Sequence, residues 1–279
     1  MKIQELKLQA METRKTLLKM IYNAKTGHTG GSLSSADIMT ALFFDILNID
    51  AKNPEWDGRD RFILSKGHCI EGYLAVLAEK GFIEKEELRT FSQYESRLIG
   101  HPNNKIPGIE MNTGALGHGL SIGVGMALGL KKDHKSNKVY VLMGDGEQEE
   151  GSIWEAAMAG ANYHLDNLIG IVDRNHLQIS GKTEDVMNLE PLASRWSAFG
   201  WSVREIDGND MEEIIRVFHE IPFEKGKPSL VLANTIKGKG VSEMENIARW
   251  HHGVPDEKLF ISAMNQFDTT LKELAHASI

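Results

Sequence analysis

Five short β-branched or apolar runs, at residues 62–64, 139–143, 168–172, 202–206 and 230–233, alternate along the chain with segments whose apolar residues recur at the helical period, at residues 3–22, 36–47, 71–79, 120–130, 153–163, 210–218 and 256–274. A strand followed by a helix returns most simply to a parallel neighbour, and the returning helices bury the sheet they cross. The pattern therefore predicts an α/β fold, a parallel sheet with helices on both faces. Ser34 or Ser35 is placed to cap the second helix. Repeats, low-complexity tracts and Ser/Pro linkers are absent and the 7 prolines are scattered, so residues 1–279 are expected to form one domain.

In such a sheet, ligands collect at the carboxyl ends of the strands. The run at 139–143 ends in Gly144-Asp145-Gly146, and the run at 168–172 ends in Asp173-Arg174-Asn175, which places Asn175 30 positions after Asp145. Mg²⁺ prefers octahedral oxygen ligands and dehydrates reluctantly, so proteins hold it with one or two carboxylates and let phosphate oxygens complete the shell. Asp145 offers the charge and Asn175 a neutral oxygen, while Gly144 and Gly146 let a phosphate approach the backbone N–H groups. A metal-diphosphate clamp follows. Residues 95–119 are rich in Gly, Asn and Pro with little periodicity, which predicts a loop lining the site.

Composition narrows the classes. The net charge is −8, with Lys and Arg scattered among acids, so no basic stripe points to nucleic acid. The apolar runs fall short of the roughly 20 residues that span a bilayer, and residues 1–5 lack a secretory apolar core, so a cytoplasmic location is expected. Cys69 is the single cysteine, which precludes an intrachain disulfide and reads as a small buried filler.

The Gly-Asp-Gly triplet with an asparagine about thirty residues on resembles the signature of thiamine diphosphate enzymes. Further segments narrow the resemblance to the transketolases, and to forms divided into two chains. They are Gly27-His28-Thr29-Gly30-Gly31-Ser32, residues 60–68 ending in Ser65-Lys66-Gly67-His68, Gly100-His101-Pro102, Thr113-Gly114-Ala115-Leu116-Gly117-His118-Gly119 and Trp250-His251-His252-Gly253. The resemblance runs from Gly27 to Gly253, with His118 a departure from the family pattern.

That resemblance implies a thiamine diphosphate-binding fold, the cofactors thiamine diphosphate and Mg²⁺, and a set of site residues. Asp145, Asn175 and the backbone carbonyl of Leu177 would hold the metal. His68, Gly144, Gly146, Gly114, Leu116, Glu150 and Ile179 would surround the cofactor, with Glu150 near a contact between subunits. The catalytic histidines would be His28, His101 and one of His251 and His252, since counting from Trp250 favours one and counting from Gly253 the other. Neutral imidazoles suit the task of passing protons among sugar oxygens. The turn at 237–240, Lys237-Gly238-Lys239-Gly240, reads either as a phosphate contact or as a plain connection.

The family's activating glutamate belongs to a second α/β region that this chain is too short to contain. The expected function is thus the amino-terminal subunit of a split transketolase, transferring a two-carbon ketol unit from a ketose or ketose phosphate donor to an aldose acceptor. A separate carboxy-terminal subunit would complete an α2β2 assembly. A related sugar synthase, the α chain of a 2-oxo acid dehydrogenase and a non-catalytic cofactor-binding regulatory homologue are the alternatives.

Overall fold

The computed structural model describes residues 1–276. Five parallel strands, β1 (Arg61–Leu64), β2 (Val139–Gly144), β3 (Leu168–Arg174), β6 (Ser202–Asp207) and β7 (Ser229–Asn234), form one sheet in the order β1-β2-β3-β7-β6. A hairpin of two short strands, β4 (Leu177–Gln178) and β5 (Gly181–Lys182), lies outside it. The helices are α1 (Ile3–Ala24), α2 (Thr29–Ser34), α3 (Ala36–Ala41), α4 (Ile70–Lys80), α5 (Gly119–Lys132), α6 (Gly151–Asn162), α7 (Thr183–Val186), α8 (Leu192–Ala198), α9 (Met211–His219) and α10 (Glu257–His276). All five predicted strands and all seven predicted helical segments are present, with ends moved by a few residues.

Successive side chains on a strand point to opposite faces, and the sheet divides accordingly. Phe62, Leu64, Tyr140, Leu142, Ile169 and Ile171 enter one buried cluster with α3, α4 and α9. Ile63, Val139, Val141, Met143, Leu168 and Val172 enter the other, with α5, α6 and α8. Both faces of β1, β2, β3 and β7 are covered, as their near-continuous apolar runs require, whereas the edge strand β6 leaves Arg204 and Glu205 exposed. In the second cluster Trp154, Trp196 and Trp201 pack in series, with ring centroids 5.4 and 4.9 Å apart. A third cluster joins α1 to α10 through Leu17, Leu18, Ala263 and Phe267, and includes Trp250, which fixes the segment carrying His251 and His252.

Two local expectations need correction. Neither Ser34 nor Ser35 caps α3 with its side chain: the Ser34 hydroxyl donates to Asp173 Oδ2 at 2.6 Å and the Ser35 hydroxyl to the Gly31 carbonyl at 2.9 Å. Buried acceptors outcompete the helix end. The expected helix at 36–47 changes pitch, running as α3 to Ala41 and then widening into a π turn over Leu42–Ile46.

Candidate functional site

Parallel strands end together, so their carboxyl-terminal loops share one rim. Gly144 pairs with Asp173 across β2 and β3, and Leu64 with Leu142 across β1 and β2. From that rim β1 leads to Lys66 and His68, β2 to Asp145 and Gly146, β3 to Asn175 and Leu177, and β7 to Lys237. These residues, with Leu116, Ile179 and His251, line a cavity of about 200 Å³. Pockets for whole ligands of drug size run from about 300 to 1,000 Å³, so this recess suits one end of a larger molecule.

Asp145 is 3% exposed. Its Oδ1 accepts from the Gly146 N–H at 2.8 Å, and its Oδ2 from the His176 N–H at 2.6 Å and from Arg174 Nη1 at 3.3 Å. Burial first and the neighbouring Asp173 second push its pKa up to about 6, despite the Arg174 charge. A carboxylate raised in this way gains from a further cation at the cavity. Asn175 Oδ1 accepts from the Leu177 N–H at 3.2 Å, and the Leu177 carbonyl accepts from Lys237 Nζ at 3.0 Å. Gln178 Oε1, in the cavity wall, is buried without a hydrogen-bond partner. Among the described residues no three His, Cys, Asp or Glu side chains gather as a metal cluster. One carboxylate, one amide and one carbonyl fit Mg²⁺ only if phosphate oxygens supply the rest, which is that ion's habit.

Beneath the rim lies a buried ionic layer. Asp173, fully buried, accepts from Lys66 Nζ, Ser34 Oγ, Thr235 Oγ1 and Asn175 Nδ2. Burial alone would depress the Lys66 pKa, but Asp173 holds it above its ordinary value. Glu147 accepts from Ser65 Oγ, from the Gly117 N–H at 2.8 Å and from the Gly144 N–H at 2.9 Å, which ties three segments of the site together. Gln148 Nε2 donates to the Gly144 carbonyl at 3.0 Å, its Oε1 accepts from Trp196 Nε1 at 3.2 Å, and its main-chain carbonyl accepts from Trp154 Nε1 at 3.0 Å.

The histidines converge. The His28 ring centroid lies 5.2 Å from that of His68, 5.6 Å from that of His251 and 4.7 Å from that of His252. His251 stacks on His68 at 5.0 Å, and its Nδ1 is 3.3 Å from Lys237 Nζ, whereas His252 is exposed and its ring packs toward His28. Residues 27 and 253 are stitched together by the Gly253 N–H donating to the Gly27 carbonyl at 3.1 Å and Thr29 Oγ1 donating to the Gly253 carbonyl at 2.6 Å. Burial, chiefly, lowers the His28 pKa to about 4 and the His251 pKa to about 3, and takes His68 well below its ordinary value. All three are neutral imidazoles near neutral pH.

His101 stands in the irregular segment after residue 95, at the exposed edge of this group. A β-carbon on Gly114, whose φ is +138°, would lie 2.6 Å from His101 Cδ2, so the close approach of loop and ring requires glycine. Glu150 is the residue just before α6, exposed, with its aliphatic carbons against Gly117. Ile179 caps the hairpin of β4 and β5 and is 75% exposed although apolar. His118 is exposed and its Nδ1 lies 3.1 Å from the Leu116 carbonyl. Every residue expected at the site therefore lies on one rim or beside it. Sequence reasoning gave no role to Lys66, Asp173, Arg174 or Glu147; Lys66, Asp173 and Arg174 sit inside segments singled out above, the one available signal. Of the turn at 237–240, Lys237 is buried and reaches the cavity, whereas Lys239 does not line it. Cys69 is fully buried, and burial pushes its thiol up to about 11, so it supplies no nucleophile at neutral pH.

A family model described as "Transketolase, thiamine diphosphate binding domain" matches residues 7–266. The chain belongs to the transketolase family. It is similar to an apulose-4-phosphate transketolase subunit from Phocaeicola vulgatus, 53% identical over 274 residues that cover 98% of both chains. It is also similar to the 6-deoxy-6-sulfo-D-fructose transketolase subunit SqwG of Clostridium sp., 42% identical over 95% of this chain and 96% of that one. Among solved structures, the transketolase of Campylobacter jejuni superposes with a TM-score of 0.91 at 34% identity, covering 96% of this chain. This transketolase chain spans only 43% of that protein's length, and 40% of human transketolase, to which it is 38% identical.

Proposed function

We propose that this chain is the amino-terminal subunit of a split transketolase, a single thiamine diphosphate-binding domain that transfers a two-carbon ketol unit from a ketose or ketose phosphate to an aldose only with a separate carboxy-terminal subunit, in an α2β2 assembly. The observation that carries the reading is the shared rim: an Asp145–Asn175–Leu177 oxygen set beside a recess of about 200 Å³, faced by neutral histidines. The two relatives named as subunits align over 98% and 95% of this chain and over 98% and 96% of their own length, which supports the subunit reading.

In the proposed site Asp145, Asn175 and the Leu177 carbonyl hold Mg²⁺, while His68, the Gly146 backbone and Lys237 face the diphosphate. Gly144, Gly114, Leu116, Ile179 and Glu150 bound the remainder. When bound, thiamine diphosphate supplies the carbon nucleophile that no residue of this chain provides. His28, with His251 or His252, accepts and returns protons at the sugar's carbonyl and hydroxyl oxygens, and His101, at the outer edge, contacts the donor's terminal hydroxyl. Their neutrality leaves one ring nitrogen as acceptor and one as donor. His251 suits the cofactor side, because it stacks on His68 beside Lys237; His252 suits the substrate side, against His28.

The test is reconstitution. Chain, candidate partner, Mg²⁺ and thiamine diphosphate together should transfer a ketol unit from a ketose phosphate such as the donor named for the 53% identical relative. Each chain alone should be inactive; turnover by this chain alone would overthrow the division of labour.

A further inference from the structure

Glu71 lies in the first turn of α4 and is 1% exposed. Its Oε1 accepts from the His28 main-chain N–H at 2.8 Å and lies 3.9 Å from His28 Nδ1, and its Oε2 accepts from Ser32 Oγ at 3.0 Å. A β-carbon at Gly27, φ +153°, would lie 2.8 Å from the same Oε1, so the backbone of residues 27 and 28 is laid directly on the carboxyl. Among the described residues no Lys or Arg forms an ion pair with it. An acid buried without a cation is costly, and the fold places this one behind the imidazole at the centre of the histidine group.

We propose that Glu71 is a positioning residue for His28: it anchors residues 27–32 through the His28 N–H and the Ser32 hydroxyl, and it keeps the imidazole proton on Nδ1, so that Nε2 is the nitrogen offered to a sugar oxygen. In a neutral imidazole the partner of one nitrogen decides the role of the other. An acceptor oxygen facing Nδ1 leaves the lone pair on Nε2. The distance of 3.9 Å is one that closes in a loaded site, where catalytic hydrogen bonds tighten. The groups facing Glu71 are few. From residues 27–28 there are the His28 ring and its main-chain N–H, from the turn just before α4 the Cys69 thiol, and from α2 the Ser32 hydroxyl. With only desolvation opposing the hydrogen bonds, the carboxyl is pushed up to about 7. It gains its charge where the enzyme would work, and the charged form holds the Nδ1 proton more firmly.

This inference rests on the assignment of His28 to ketol transfer, and the experiment separates the two. The full chain is labelled with ¹⁵N at histidine and observed both by itself and in the reconstituted complex; its His28 resonances are assigned by their loss in His28→Gln. Wild type should show the Nδ1–H form and a step in the His28 ring and main-chain shifts near pH 7, and Glu71→Gln should remove that step. In the reconstituted enzyme Glu71→Gln should lower kcat about 10- to 100-fold, the usual cost of losing a supporting partner, with the donor KM unchanged and the rise of kcat through pH 7 flattened. Glu71→Asp, which still titrates, should recover part of kcat. An Nε2–H His28 in wild type, or a wild-type kcat and pH profile in Glu71→Gln, overturns the proposal. If Glu71→Gln does not fold, the wild-type titration decides, and absence of the step is fatal. If the wild-type complex transfers no ketol unit while the step is present, it is the functional reading that fails.

Discussion

At the scale of single residues, the site is a layer of buried charge under a rim of neutral imidazoles, and its protonation couples to folding. Glu71 titrates near 7 in the folded chain against an ordinary 4.5. The folded state therefore holds a proton that the unfolded chain has released, and stability falls as pH rises through that window, by about 3 kcal/mol in all. His28 and His251 work in the opposite sense: with folded values of about 4 and 3 against 6.5, their contribution is complete above 6.5 and is lost as pH falls toward those lower values. Replacing Glu71 by Gln should leave thermal stability at pH 5 little changed relative to wild type and raise it increasingly toward pH 8. Melting curves at the two pH values check this, and a difference that shrinks with rising pH contradicts the assignment. The acids and bases responsible were the least legible part of the sequence. Asp145 and Asn175 announce themselves by following glycine or ending a strand, but Lys66 meets Asp173 across 107 positions, a pairing that only the parallel register creates.

At the scale of elements, β3 carries the site because it is the central strand, paired on both sides. Gly170 lies at its middle, where an added β-carbon would come within 2.8 Å of Leu230 Cδ1 and 3.2 Å of Met143 and Trp201. Gly170→Ala should cost about 1–3 kcal/mol by overpacking, read as a lower denaturant midpoint, and an unchanged midpoint would show that this side of the sheet is loosely packed. The sheet itself was readable in the sequence because β1, β2, β3 and β7 are runs of β-branched and apolar residues bounded by polar turns; the edge strand β6, Ser-Val-Arg-Glu-Ile-Asp, carries the weaker signal. What escaped was short. Helix α2 is Thr-Gly-Gly-Ser-Leu-Ser, a sequence of poor intrinsic propensity that stays helical because all six residues are buried. The hairpin of β4 and β5 has two residues a side, too few for any period to show. The short helices α7 and α8 were likewise not anticipated, but α2 and the hairpin belong to the site, one beside His28 and the other bearing Leu177 and Ile179, which is where tertiary packing overrules local preference.

At the scale of the molecule, an open recess flanked by an exposed apolar hairpin tip describes half of a pocket. Asp145→Asn should abolish Mg²⁺-dependent uptake of thiamine diphosphate by the reconstituted pair, seen by calorimetry, while leaving the assembly intact by sedimentation; retained uptake would remove Asp145 from the metal. The tryptophans offer a second view of the same event. The Gln148 side chain is bonded both to the Gly144 carbonyl and to the Trp196 indole N–H, and its main-chain carbonyl to that of Trp154, so whatever settles onto the glycine turn is one residue away from a cluster of natural fluorophores. The chain has a built-in gauge of its own loading: emission should change as the turn fills, without dye, tag or coupled assay.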